Sequence, residues 1–209
     1  MVACGMGAPV VALSVFVVAA ARRPGYDQAA DTISKLSAQG TAEPWLWTGG
    51  LLVYAVLMAL FAVGLRRRFG SGGPARIMWG AMAVHAVLMA GVAGFGDDQR
   101  PGGFFTTEGA VHDVLSGMAF SALIVAMWGA TALAKFDTAL RSLRVVTFVV
   151  GAATLAVGMA FLFTPPEVQG IPQKIFVVLG AVWIVSLGAR SLNPPPEKRN
   201  GGPSAACPA

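Results

Sequence analysis

Two histidines, two cysteines and ten acidic residues are the main groups in this 209-residue chain able to run acid–base, nucleophilic or metal chemistry. Several of them fall into short clusters. His112, Asp113 and Ser116 head one apolar stretch, and Asp97 and Asp98 close the stretch before it. Asp27, Asp31 and Ser34 share an earlier polar segment, and Gln173 begins the last apolar run. On a helix, residues three or four apart are neighbours, which sets Ser116 beside both His112 and Asp113. An imidazole among carboxylates and hydroxyls can act as a general base. The same surroundings suit a hard divalent cation better than zinc, or hydrogen-bond a polar ligand. Simpler readings stand beside these. Asp113 caps a helix start, where the backbone dipole favours an acid, and clustered charges are solvated.

His85 sits differently, inside an apolar stretch about ten residues from Phe95. At about 1.5 Å per residue that is about 15 Å deep, near the centre of a bilayer. Ionisable groups at such depth are rare and often functional. A neutral imidazole hydrogen-bonded to a neighbouring helix accounts for it equally well. Several chemistries are disfavoured outright. A three-histidine zinc centre needs more histidines than the chain holds. Bis-histidine haem needs two imidazoles at one depth, and His85 and His112 differ by most of a half-membrane. No Walker loop, GxSxG elbow, HExxH or CxxC occurs. Ser34 or Ser116 near His112 imitates a nucleophile–base pair, but residues this common meet by chance.

The elements that must position these groups are six apolar stretches, and the chain is 56% hydrophobic with only 12% charged residues. Ordinary soluble domains are about 25% charged, and each bilayer span takes about 20 apolar residues. The fold class expected is therefore all-α, a polytopic transmembrane bundle of six spans occupying residues 1–192. The spans fall at about 2–21, 45–65, 77–95, 111–134, 145–164 and 171–189. Residues 193–209 form a Pro/Gly-rich tail expected to be disordered and cytoplasmic. Pro9 should kink the first span or mark an early turn. That span could alternatively be a signal peptide ending at Ala19 to Ala21, but no basic residue precedes its apolar run. Ala86, Ala90 and Gly94 recur every four residues and predict a close helix–helix approach in the third span. In the first long loop, Ala30, Ile33 and Leu36 have near-helical spacing. They predict a short surface helix with Asp27 and Asp31 one turn apart, facing either the bundle mouth or solvent.

Charge sets the orientation. Ten of the fifteen basic residues flank the second and fourth connections or lie in the tail, with only Asp137 and Glu197 among the ten acids. The other connections hold Arg22, Arg23, Lys35, Arg100 and Lys174 beside the remaining eight acids. The positive-inside bias then puts both termini in the cytoplasm of a plasma or inner membrane, with Arg22 and Arg23 as one local violation. Cys4 and Cys207 would be reduced thiols there. The formal charge of +5 does not point to nucleic acid, since it forms no continuous basic face with interleaved aromatics.

The segments also resemble a known family. Tyr26-Asp27 followed by Ile33-Ser34-Lys35-Leu36, the run Gly49-Gly50-Leu51-Leu52 to Gly64-Leu65-Arg66-Arg67, Asp97-Asp98 before Gly109 and His112, and Gly170 with Gln173 and Lys174 occur in one order. Together, over about Ala8 to Leu192, they resemble the six-span bacterial and archaeal membrane proteins catalogued as domain of unknown function 998. Gln28 stands where that family often has proline, and Lys174 replaces a frequent arginine. The resemblance implies six spans with polar matches on one face of the membrane, and brings no activity.

The leading functional reading is an outward-facing pocket binding a lipid headgroup or small polar ligand. In it Asp31 and His112 meet the ligand, with Ser34 and Gln173 in support and the first loop as cover. The alternative is an intramembrane lipid-modifying enzyme using His112 with Ser116, nearby carboxylates or a bound cation. A transporter ranks third, because no pair of spans is broken by matching Gly/Pro interruptions. A structural or assembly role ranks fourth. Beyond the lipid bilayer and that ligand, no partner or oligomeric state follows from the sequence.

Overall fold

The computed structural model of the protein describes residues 1–98 and 106–192. The glycine-bearing segment 99–105 and the tail with Cys207 lie outside the described residues. Six helices run in order: α1 (Val2–Arg22), α2 (Pro44–Phe69), α3 (Gly73–Gly94), α4 (Thr107–Leu133), α5 (Arg144–Phe161) and α6 (Gly170–Leu192). Short 3-10 turns occur at Ile33–Ser37, Arg141–Leu143 and Pro166–Val168, with no strand among the described residues. All six helical segments are long and apolar enough to cross a membrane, the fifth counted from Arg141. The chain is a multi-pass membrane protein, all-α as its composition requires.

Local chemistry explains where the helices begin and end. Pro44 and Pro74 sit in first turns, where a missing amide proton removes no intrahelical bond. α2 stops at Gly70, whose φ of 72° few other residues adopt. Arg66, Arg67 and Arg68 fill its last turn and complement the negative end of the helix dipole. Thr106 caps α4, its Oγ1 accepting from the Gly109 amide at 2.9 Å. Pro9 neither ends nor splits α1, which continues through it from Val2 to Arg22.

Each helix packs on the next and α6 returns to α1, closing a ring. Val56, Val87, Phe148 and Val182 are exposed on its outer surface, as lipid-facing side chains should be. The start of α1 meets the end of α6, with Met6 against Gly188. Both described chain ends therefore share one end of the bundle, and the first long loop closes the opposite end.

The small-residue stripe does not act as expected. Ala86 is buried, but Ala90 and Gly94 are exposed, and a side chain at Gly94 would meet nothing within 4 Å. Four residues overshoot one helical turn by about 40°, so such a stripe winds away from its neighbour. The close approach of α3 and α4 instead uses Gly129, where a Cβ would lie 2.7 Å from the Met78 amide nitrogen.

Candidate functional site

The loop before α2 is folded by its own polar side chains, not by a long helix. Asp27 Oδ1 accepts from the amides of Ala29 at 2.7 Å and Ala30 at 3.2 Å, while Asp31 Oδ2 accepts from the Asp27 amide at 2.9 Å. These bonds, the Ala29 amide first, hold the Asp27 carboxyl below its ordinary range. The expected surface helix shrinks to the single turn Ile33–Ser37. Asp27 and Asp31 are consequently not a pair facing the bundle mouth, and neither lines either of the two spaces beneath the loop. Aspartates that bond amides two or three residues ahead favour turns over helix.

This loop is tied down from two sides. Lys174 on α6 donates to the carbonyls of Gln28 at 2.9 Å and Asp31 at 2.7 Å. Its ammonium also lies over the rings of Phe16 and Tyr26. The Tyr26 hydroxyl donates toward the carbonyls of Asp31 and Thr32, and burial, then the Asp31 charge, raises its pKa. Gln173 Oε1 accepts from the Ile33 amide. From the other side, Ser34 Oγ donates to Asp97 Oδ2 at 2.7 Å, and the Gln39 amide donates to the Asp97 carbonyl at 3.0 Å. Asp98 binds Thr106 through hydroxyl and amide at 2.7 and 3.2 Å. Gly109 is small where it must be, since a Cβ there would run into the Asp98 carboxylate.

Beneath the loop lie two spaces. A chamber of about 100 Å³ occupies the middle of the ring, lined mainly by apolar side chains of α1, α2, α3, α4 and α6, with His85 and Tyr54 among them. A larger cleft of about 620 Å³ lies between α4 on one side and α5 and α6 on the other. α4 and α5 touch at Trp128 and Gly151, and the cleft occupies the space above that contact. Its upper rim is polar: Thr32, Ser34, Lys35, Asp97, Asp98, Asp113, Gln169 and Gln173. Its lower wall is apolar, with Phe120, Ile124, Leu155 and Val157, while Phe161 and Leu162 at the outer end of α5 set an apolar edge beside the rim. Ser34, His112, Ser116, Phe120, Gln173 and Phe176 line both spaces. The rings of Phe120 and Phe176, 4.5 Å apart, stand between them.

The two histidines have opposite situations. His85 is satisfied at both nitrogens, Nδ1 lying 2.9 Å from the Ala119 carbonyl and Nε2 2.9 Å from the Tyr54 hydroxyl. A carbonyl only accepts, so Nδ1 carries the proton and Nε2 receives one from Tyr54. That is interhelical packing across α2, α3 and α4. His112, only 2% exposed, has Nδ1 2.9 Å from the Phe95 carbonyl, which fixes its tautomer too. Its Nε2 is buried with no hydrogen-bond partner.

Asp113 does not cap α4, because the helix starts six residues earlier at Thr107 and Thr106 does the capping. It is an exposed residue of the second turn, on the cleft wall, with no hydrogen bond or ion pair among the described residues. No three His, Cys, Asp or Glu side chains converge on a metal position among the described residues. The sequence reading missed Gln39 and Thr106, which join the first loop to the start of α4 at 2.8 Å, and Tyr54. The last had a signal: Tyr54 lies about as far from the start of α2 as His85 does from the end of α3, so the two share a depth.

The model of a family described as a protein of unknown function, DUF998, matches residues 6–190. No curated protein and no solved structure matches the chain.

Proposed function

The chain belongs to the DUF998 family, whose description assigns no activity, and from that premise and the cleft we propose that it binds one amphipathic molecule. Its polar headgroup sits at the rim, among His112, Asp113 and Ser34, and its apolar part lies along the lower wall. The observation that carries this reading is the unpartnered Nε2 of His112, buried at the boundary between the polar rim and the two spaces. An orphaned buried acceptor costs roughly 1–3 kcal/mol, and a bound donor recovers it. Asp31 has no ligand-facing role in this proposal, since it holds the Asp27 amide; Asp113 takes that place. Ser34 and Gln173 keep their supporting roles by tying the loop over the site. The charge asymmetry of the connections supports a rim on the non-cytoplasmic side of a plasma or inner membrane, with both termini inside.

Mass spectrometry of lipids retained after gentle detergent purification tests this. The wild-type protein should carry one amphiphile in near-stoichiometric amount, and His112→Ala should retain about tenfold less, the equivalent of about 1.4 kcal/mol. Equal retention by the two proteins overturns the reading.

A second reading, catalysis on the bound lipid, is favoured by the fixed tautomer of His112. A histidine whose Nδ1–H is held by a carbonyl presents Nε2 as a base, the orientation that nucleophilic sites use. Ser116, one turn along α4, would be the hydroxyl it serves. Turnover of a retained lipid that disappears in both His112→Ala and Ser116→Ala would mark an enzyme; lipid retained unaltered marks a binder.

A further inference from the structure

Resting on that amphiphile reading, we propose that the headgroup bound at the rim is a primary amine, its ammonium shared between the Asp113 carboxylate and Nε2 of His112. The polarity of the available atoms carries the inference. With its proton held on Nδ1 by the Phe95 carbonyl, Nε2 of His112 can only accept. The adjacent Asp113 lines the cleft and offers oxygens without a partner among the described residues. The Ser34 hydroxyl gives its proton to Asp97 and takes one from Thr32 at 3.1 Å, which leaves it one lone pair to offer. Asp97 and Asp98 have oxygens already bonded to hydroxyls and amides, yet add negative charge to the same rim. Lys35 is the cationic side chain lining the cleft, while Lys174 is turned to the carbonyls of the first loop.

Three carboxylates against one lysine leave this rim negative and rich in acceptors, which calls for a donor carrying positive charge. A headgroup of net negative charge would bring no ammonium to offset the three carboxylates. A divalent cation asks for several converging oxygen ligands, and the described residues bring no three together. A quaternary ammonium carries the charge but has no N–H to give to Nε2. A primary ammonium has three N–H donors, enough for the imidazole and the carboxylate together. Hydrogen bonds to charged groups give a preference of about tenfold or more over a lipid that cannot make them.

The test uses the full chain in nanodiscs of phosphatidylcholine with equal minor amounts of phosphatidylethanolamine and phosphatidylglycerol, followed by native mass spectrometry of the lipids that remain bound. Phosphatidylethanolamine should be enriched about tenfold over both others, and Asp113→Asn should abolish that preference. Asp113 is exposed and unbonded among the described residues, so this variant does not put folding at risk. Enrichment of phosphatidylglycerol or phosphatidylcholine instead overturns the amine assignment and leaves the amphiphile cleft standing. No lipid enriched, but thermal protection by dissolved ethanolamine that Asp113→Asn removes, supports the amine site and overturns its membrane source. Neither lipid enrichment nor protection by ethanolamine overturns both.

Discussion

The Tyr54 hydroxyl donates to Nε2 of His85 across 2.9 Å, in the buried middle of the bundle. That bond and the one from Nδ1 to the Ala119 carbonyl leave the mid-membrane histidine with no capacity for a ligand. Its role is to join three helices. Tyr54→Phe removes one partner and orphans a buried acceptor, so it should lower stability by about 1 kcal/mol or somewhat more. His85→Ala and His112→Ala empty equal buried volumes, but the first breaks two hydrogen bonds and the second breaks one, so His112→Ala should cost less. Thermal unfolding of the three variants in the same detergent checks both, and a larger loss for His112→Ala than for His85→Ala would reverse the assignment of roles.

Ser34 and Asp97 join the first loop to the end of α3 through a hydrogen bond to a charged acceptor at 2.7 Å. Such bonds contribute about 1.5–3 kcal/mol. Ser34→Ala should therefore release the loop locally while the six helices stay packed. Hydrogen exchange of residues 26–39 should speed up by about tenfold or more, with exchange in α2 and α6 unchanged. Uniform acceleration across the chain would show that the contact supports the whole fold.

Lys174 fastens the same loop from α6 through the carbonyls of Gln28 and Asp31. Lys174→Met keeps the apolar stem but removes the donor, and should open residues 24–34 to proteolysis. Acid should loosen this turn as well. The Asp27 carboxyl is held low by the Ala29 and Ala30 amides, so its contribution is present above its unfolded value of about 4. It is lost as the pH falls through the lower folded value. Limited proteolysis with an acid-active protease should show cleavage in this loop rising only below about pH 4. An onset near neutrality would point to another group.

The fold was legible because six apolar runs admit few other structures, and most helix boundaries fell within three or four residues of those expected. What failed depended on contacts that no single segment displays. Asp27 and Asp31 have helical spacing, yet both carboxylates bond local amides and bend the chain. Ala86, Ala90 and Gly94 form a neat interval, but only the first meets another helix. At the site, His112, Asp113, Ser116, Ser34 and Gln173 were all recognisable as residues, and all five line the same cleft. The difference between His85 and His112 was not readable, because it lies in two carbonyls and a tyrosine contributed by other helices.

Gly129 is where α3 and α4 come closest, and the sequence offers a matched control in Gly80. A Cβ on Gly129 would lie 2.7 Å from the Met78 amide nitrogen and 3.0 Å from its Cα, backbone atoms that cannot swing aside. Gly129→Ala must therefore push the two helices apart, an overpacking that costs about 1–3 kcal/mol. A Cβ on Gly80, on α3, would meet nothing within 4 Å. There alanine should be neutral or gain up to about 1 kcal/mol from helix propensity. Melting temperatures of the two variants should move in opposite directions or differ clearly. Equal and small shifts would mean that the α3–α4 packing is looser than the Gly129 contact requires.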